Sequence, residues 1–317
     1  MIDGLRFESI GMDSQNYIKL LKSSLGEFYA EDKIGTSAFL SKYKTASAST
    51  EIIHCKLQKE LEEISSCVLV KRLILVDEYV IPFYFLTQVV TAEKYRGSGY
   101  VRILLGEVEK LMISKGIPIM IVIARRSAHN LYSKLGFKGF SHFPEMVSIA
   151  SNPTQAFTDF RQAGIQDIQK LHKINGKSSA YLNARVQRTI EDWKLILDFQ
   201  SESTYKVFLP LGESIESYII SKERIGLEIG SISGMETDQD FLKSMLRNFE
   251  KFYIDKNNSL SKYFTETSWI YSERFEANEG HLIKLVSKVP SAAQMFFDEA
   301  IKVDGHYRLR IDPVDQW

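Results

Sequence analysis

The spacing of apolar residues changes period several times along the chain, and each change predicts an element. Leu5 to Ile10 alternates as a strand. From Asp13, the residues Tyr17, Ile18, Leu20, Leu21 and Leu25 mark one face of a helix with a cap at Asp13 or Ser14. Ile53, Leu57, Leu61 and Ile64 keep an i, i+4, i+8, i+11 spacing, which predicts a second helix from Thr50 to about Ile64. Two strand-like runs follow, Cys67 to Val76 and Val80 to Thr91, and Asp77 with Glu78 between them predicts a hairpin. After the loop Ala92 to Gly99, the residues Val101, Leu104, Leu105, Val108, Leu111 and Met112 form one helical stripe, closed by Gly116 in the C′ position. Ile117 to Ala124 is continuously apolar and reads as a buried strand. A short helix from about Ala128 ends at Gly136, and another strand opens at Phe137.

Ser148 to Gln155, rich in Ala, Ser, Asn and Pro, is the best linker candidate, and beyond it the chain starts again. Phe160 to Ile165, followed by Ile168, Leu171 and Ile174, echoes Phe7 to Met12 followed by Tyr17, Leu20 and Leu21. Strands are predicted at Tyr205 to Leu211, Glu216 to Ser221 and Ile225 to Ser233, then a helix over Phe241, Leu242, Met245, Leu246, Phe249, Phe252 and Tyr253. Later strands are predicted around Phe264 to Ile270 and His281 to Val289. The repeated element order, over 317 residues, favours two domains by tandem duplication, 1–150 and 151–317, over a single α/β barrel.

The segment with chemical content is Arg96-Gly97-Ser98-Gly99-Tyr100-Val101, between a strand and an amphipathic helix. A glycine-rich turn at a helix N-terminus leaves several backbone N–H groups unpaired and pointing one way, with the helix dipole behind them. That is a pyrophosphate cradle, to which Arg96 can add a charge-assisted bond. The turn is not a Walker loop, since no Gly-Lys-Ser/Thr follows, and it does not fit the dinucleotide G-x-G-x-x-G pattern.

About 30 residues further on stands Ala128-His129-Asn130-Leu131-Tyr132-Ser133-Lys134-Leu135-Gly136-Phe137. Together the two segments resemble the GCN5-related N-acetyltransferase (GNAT) superfamily, whose pyrophosphate loop follows the fourth strand and whose later helix reads approximately A-x-x-x-Y-x-x-x-G-F. The motifs cover residues 80 to 140, and the β-α opening extends the likeness loosely over 1–150. Three positions depart from the family pattern: Val101 stands for Gly or Ala, Glu93 for a proline before the loop, and Arg125 for an asparagine. The run Ile81 to Val90 and the later Gly116-Ile117-Pro118 are most similar to the enhanced-intracellular-survival group, which also lacks the asparagine and places a degenerate acetyltransferase domain behind an active one.

The resemblance implies an α/β (α+β) fold of two tandem GNAT-like domains, each a mixed, mostly antiparallel sheet flanked by helices, with the catalytic domain at 1–150 and a degenerate, acceptor-shaping one at 151–317. It implies acetyl-CoA as co-substrate, held by Val90, Thr91, Arg96, Gly97, Ser98, Gly99, Tyr100, Val101, Arg102 and Asn130. A neutral primary amine of a small molecule, an amino sugar or aminoglycoside-like compound, or a lysine, would attack the thioester directly. Backbone groups at Val89 and Val90 would polarise the thioester carbonyl, and Tyr132 would act as general acid. Without the motif around it, Tyr132 reads as a core aromatic. The general base is the gap: no acidic residue lies between Val80 and Ala92, and Asp77 and Glu78 are either bases acting through water or simply a solvated turn. In the resembled group a terminal carboxylate on an aromatic residue reaches the active site, and this chain ends on Trp317.

Where the second half should carry its own cradle it reads Gly234-Met235-Glu236-Thr237-Asp238-Gln239-Asp240, whose three carboxylates would cap a helix and repel pyrophosphate. The departures at Val101, Glu93 and Arg125 also admit a coenzyme-A-binding sensor without turnover, and the tandem arrangement admits a mycothiol-synthase-like enzyme.

Composition adds bounds. With 44% hydrophobic and 25% charged residues the chain is neither disordered nor collagenous. No run is long enough for a transmembrane helix and no signal peptide is expected, so a cytoplasmic protein with no membrane partner is predicted. Forty basic against forty acidic residues give no general electrostatic reason to expect a nucleic-acid partner. Cys55 and Cys67 read as reduced core thiols, Trp193 and Trp269 as core, and the lone His172 and His281 as structural, with no metal expected. The neutrality is a sum: residues 1–150 hold 19 basic and 16 acidic side chains and the remainder 21 and 24. Gln88 to Phe140 holds 9 basic and 3 acidic, an excess suited to a polyphosphate.

Overall fold

The computed structural model describes residues 5–10, 51–139, 146–150, 159–178, 184–198, 200, 205–211, 216–232, 235–255, 279–300 and 309–310. In chain order the elements are β1 (Leu5–Ile10), β2 (Ile52–Lys59), β3 (Glu62–Val76), β4 (Tyr79–Thr91), α1 (Tyr100–Ser114), β5 (Ile119–Arg125), α2 (His129–Lys134), β6 (Lys138–Gly139) and β7 (Met146–Ala150). They continue as β8 (Phe160–Gln162), α3 (Ile168–Ser178), β9 (Ala184–Gln187), α4 (Ile190–Asp198), β10 (Tyr205–Pro210), β11 (Ser217–Lys222) and β12 (Ile225–Ser231). The last are α5 (Met235–Asn248), β13 (Lys251–Asp255), β14 (Glu279–Leu285), α6 (Ser291–Ala300) and β15 (Leu309–Arg310).

These strands form two sheets, and each matches the expected class: mostly antiparallel, mixed, and flanked by helices. The first runs β1-β2-β3-β4-β5-β14-β6, with β9 beside β3 and β15 beside β9. The second runs β7-β13-β12-β11-β10-β8. In each, one helix crosses over between two neighbouring parallel strands: α1 between β4 and β5, α5 between β12 and β13. A parallel pair requires such a crossover, whereas the antiparallel pairs β3–β4 and β11–β12 close through tight turns. Asp77, at φ +50, makes the β3–β4 turn.

The sheets exchange strands. β7, which lies within the first 150 residues, pairs with β13 in the second sheet, and β14 lies between β5 and β6 in the first. The linker candidate therefore begins inside β7, because the partner that makes Ser148 to Ala150 a strand comes a hundred residues later. β9 covers the outer half of β3 at Leu73 to Val76, where β2 no longer reaches.

Two predicted elements are corrected. The expected helix Thr50 to Ile64 is the β2–β3 hairpin, with Glu60 at φ +57 and Leu61 92% exposed at its turn. A spacing of four is even, so Ile53 and Leu57 share a strand face as readily as a helix face. The deciding feature is that Ile52 to Leu57 are all buried, with Ile53, Cys55 and Leu57 packed on the α1 side and Ile52 on the other. The second correction concerns the helix over Phe241 to Tyr253. It stops at Asn248, and Phe252 and Tyr253 belong to β13. The helix expected after Asp13, the strand around Phe264 to Ile270, and Trp269 lie outside the described residues.

The first sheet is covered on both faces. α1 and α2 pack on one through Leu104, Leu105, Val108, Met112 and Tyr132. α6 packs on the other through Ala293, Phe296 and Phe297, against Phe83, Phe85, Ile119 and Ile121. β5 serves both layers by alternation, Ile119 and Ile121 to one and Met120, Val122 and Ala124 to the other. Cys55 and Cys67 are free, buried and directly opposite in register. Trp193 is fully buried in the second core. Among the described residues no helix is long and apolar enough to cross a membrane.

Two buried ion pairs brace the later half of the chain around the first sheet. Arg72 of β3 reaches Asp192 of α4 at 3.1 Å. Just past β9, Arg188 makes a bidentate pair with Glu228 of β12 at 2.6 and 2.7 Å, and Tyr218 donates its hydroxyl to the same carboxylate at 2.6 Å. Both charges are 2% exposed, so neither can be solvated if its partner is lost. Glu228→Gln is expected to cost about 3 kcal/mol of unfolding free energy in urea titration. A change below about 0.5 kcal/mol would show that the pair does not brace the fold.

Candidate active site

The site forms where β4 and β5 part. Their pairing runs from Phe83 opposite Ile119 to Leu86 opposite Val122, and both strands continue beyond it without further register partners on each other. On its other side β4 carries a bulge: Ser66 opposes Val90 and Val68 opposes Thr87, so Gln88 and Val89 together face Cys67. Gln88 sits at φ +54, the local distortion that turns the end of β4. Gln88 and Val89 are thus the two residues of the bulge. Val90, 4% exposed, has its carbonyl tied by the Ser65 hydroxyl at 2.8 Å, and Thr91 meets the same hydroxyl at 2.9 Å.

From Thr91 the chain enters a short 3₁₀ turn, Glu93–Tyr95, clamped to the start of β3. Lys94 Nζ lies 2.7 Å from the Glu62 carboxylate and the Tyr95 hydroxyl donates to it at 2.8 Å. The Lys94 ammonium and then the Tyr95 hydroxyl hold the Glu62 carboxyl below its ordinary range. Arg96 Nε donates to the Thr91 carbonyl at 3.3 Å. Gly97 and Gly99 follow at φ +77 and +79, the left-handed region that favours glycine. Gly99 is the N-cap of α1 and offers no side-chain cap. The first intrahelical bond runs from Arg102 N to Gly99 O at 3.0 Å, so the amides of Gly99, Tyr100 and Val101 have no acceptor within the helix. A Cβ at Gly97 or Gly99 would meet nothing within 4 Å, so the backbone there borders open space.

That space is a cavity of about 390 Å³ lined by Thr91, Tyr95, Arg96, Gly97, Gly99, Tyr100, Val101, Arg102, Leu131, Lys134 and Leu135. The structure therefore brings Thr91, Arg96, Gly97, Gly99, Tyr100, Val101 and Arg102 together. It places Val90 beneath them in the core, Ser98 at the exposed tip of the turn, and Asn130 exposed on α2. Sequence reasoning missed Tyr95, Leu131, Lys134 and Leu135. Lys134 and Leu135 stand two and three residues after Tyr132, within the quoted motif, and that adjacency was the available signal. Three cations and no carboxylate line the cavity, which is the right electrostatic surrounding for a polyanion.

Tyr132 does not line this cavity. It is 6% exposed in the α1-side core, and its ring meets Phe137 edge-on at 5.4 Å. Burial first, and then the nearby Cys67, pushes its phenol well above the ordinary tyrosine value. Asp77 and Glu78 sit at the far end of the β3–β4 hairpin, roughly 40 Å of strand from Thr91. Both are exposed there, so they are a solvated turn and not a base. Trp317 lies outside the described residues, as do the side chains of Glu236, Asp238 and His281, while Asp240 is exposed. Among the described residues no group of His, Cys, Asp and Glu is placed to hold a metal.

The raised phenol sets a pH expectation. Its proton is kept above the free-tyrosine pKa, so the stability it carries is complete below about pH 10 and is lost as pH rises further. A wild-type minus Tyr132→Phe difference spectrum at about pH 10.5 should show no phenolate absorbance, whereas a free tyrosine would be mostly ionised. Phenolate at that pH would place the hydroxyl in water.

Comparison with known proteins agrees with this geometry. Residues 72–137, from mid-β3 to the residue after Gly136, match the acetyltransferase (GNAT) family model. A search of curated proteins finds no significant match. Among solved structures, a GCN5-related N-acetyltransferase from Anabaena variabilis superposes with a TM-score of 0.64 at 16% identity, over 89% of this chain and 73% of that one. One from Kribbella flavida gives 0.63 at 13% identity, over 89% and 71%. A conserved protein of unknown function from Enterococcus faecalis, described as a probable N-acyltransferase, gives 0.63 at 11%, over 89% and 73%. The family match spans the parting strands, the glycine turn and the tyrosine helix, and the likeness to solved structures, which is one of fold, spans most of the chain.

Proposed function

We propose that the chain is an acetyl-CoA-dependent N-acyltransferase that acts on a primary amine by direct attack on the thioester. The observation that supports it most is the glycine turn at the N-terminus of α1, whose unpaired amides border a cavity lined by Arg96, Arg102 and Lys134 and by no carboxylate. Bound there, acetyl-CoA supplies the activated acyl group. Amides of Gly99, Tyr100 and Val101 would take the pyrophosphate, with Arg96, Arg102 and Lys134 around it. Thr91 and Val90, at the open end of β4, would border the pantetheine arm. The bulge turns Val89 out of the β3 ladder, and its backbone N–H is the best placed to polarise the thioester carbonyl. Tyr132, protonated at neutral pH as any tyrosine is and kept so to higher pH by its burial, would donate to the departing thiolate.

Residues 1–150 would carry the chemistry and residues 151–317 would shape the acceptor site, as in the tandem survival-type enzymes. The difference of net charge between the halves, +3 against −3, favours a cationic acceptor such as an amino sugar or polyamine over a neutral one. Arg125 in place of the usual asparagine keeps a second reading in view, a coenzyme-A sensor without turnover.

Calorimetry and thiol release separate these readings. Wild type is expected to bind acetyl-CoA, and Arg96→Glu to weaken binding by about tenfold or more. With a panel of aminoglycosides, polyamines and lysine peptides, Tyr132→Phe is expected to lower thiol release by about a hundredfold while acetyl-CoA affinity stays within about threefold. Absence of acetyl-CoA binding defeats the proposal, and binding with no thiol release from any amine supports the sensor.

A further inference from the structure

α2, which carries Tyr132, is six residues long, and a helix so short holds its place only through contacts with the rest of the fold. Its first turn is tied to β5, where His129 Nε2 donates to the Ala124 carbonyl at 3.0 Å. At its other end the amides of Leu135 and Phe137 both donate to the Tyr132 carbonyl at 3.0 Å, and Gly136 takes the left-handed conformation at φ +86. The Leu135 carbonyl is taken by a residue from far along the chain. Lys284 of β14 donates from Nζ to Leu135 O at 2.6 Å and to Glu109 Oε1 of α1 at 2.6 Å. Its ammonium stands 5.9 Å from the centroid of Phe137, the ring that meets Tyr132 edge-on. Its stem passes Gly136 at van der Waals range, an added Cβ there lying 3.5 Å from Lys284 Cε.

One ammonium therefore joins the helix that carries the phenol, the helix that carries the glycine turn, and a strand that the later half of the chain adds to the first sheet. It is a cation at a helix C-terminus, favoured by the helix dipole, and its side chain is only 19% exposed, so screening is weak. We infer that Lys284 is a positioning residue for Tyr132, fixing the pitch of α2 against α1 so that the phenol stands at the thioester sulfur. This rests on the acyl-transfer reading above. It gives the later half of the chain a part in the chemical step, separate from recognition of the acceptor.

The test compares coenzyme A with desulfo-coenzyme A by calorimetry on the full-length chain, since the difference reports the phenol–sulfur contact and needs no acceptor. Wild type is expected to bind coenzyme A about fivefold tighter, the size of one hydrogen bond. Lys284→Met should abolish that preference while leaving desulfo-coenzyme A affinity within about twofold, and Lys284→Arg, which keeps charge and donors, should restore it. Amide hydrogen exchange in the folded Lys284→Met chain should quicken across residues 129–137 and stay unchanged across 100–114. A preference retained in Lys284→Met overturns the inference, and so does an equal loss of both affinities or faster exchange throughout. Equal binding of both nucleotides by wild type removes Tyr132 from the sulfur and overturns it too. Wild type that binds neither nucleotide instead overturns the acyl-transfer reading.

Discussion

The parallel pairing of β4 with β5 is the constraint from which the site follows. Parallel neighbours cannot be joined by a tight turn, so a crossover helix must leave the end of β4 and return to the start of β5. The N-terminus of that helix then necessarily faces the end of β4, and here that end parts from β5 after Leu86. An opening between strands and a ring of unpaired helix amides are thereby placed side by side. The bulge at Gln88 and Val89 sharpens the parting, and the glycines at 97 and 99 let the backbone itself form the wall.

The second dependence is the exchange of strands. With β14 between β5 and β6, and β7 beside β13, neither sheet is complete without a strand from the other half of the chain. α6 closes one face of the first sheet and Lys284 holds α2, so the later half is part of the framework that supports the site. Buried pairs such as Arg188 with Glu228 make that arrangement selective, because any misplacement would leave a charge buried alone.

Much of the site was legible because its requirements are local. The glycine turn is written at consecutive positions, and the tyrosine helix is closed by its own glycine at 136. The stripe from Leu104 to Met112 and the apolar run from Ile119 were equally clear, since each repeats one period long enough to be unambiguous. Ile53, Leu57 and Leu61 were not, because a spacing of four is common to both periods and only burial on two faces decides for a strand. The cations opposite the turn were half legible: Arg96 and Arg102 belong to it, while Lys134 joins them only because α2 packs beside α1.

The sequence by itself determined the local make-up of the glycine turn: a left-handed backbone, free helix amides and nearby positive charge depend on neighbouring residues and little else. Tertiary structure alone decided which strands complete which sheet, that Asp77 and Glu78 stand at the wrong end of a long hairpin to serve the site, and that a lysine 149 positions beyond Leu135 takes its carbonyl. Backbone conformation is a short-range property of the chain. Pairing between distant strands is chosen by shared burial and hydrogen bonding, which no local window of residues contains.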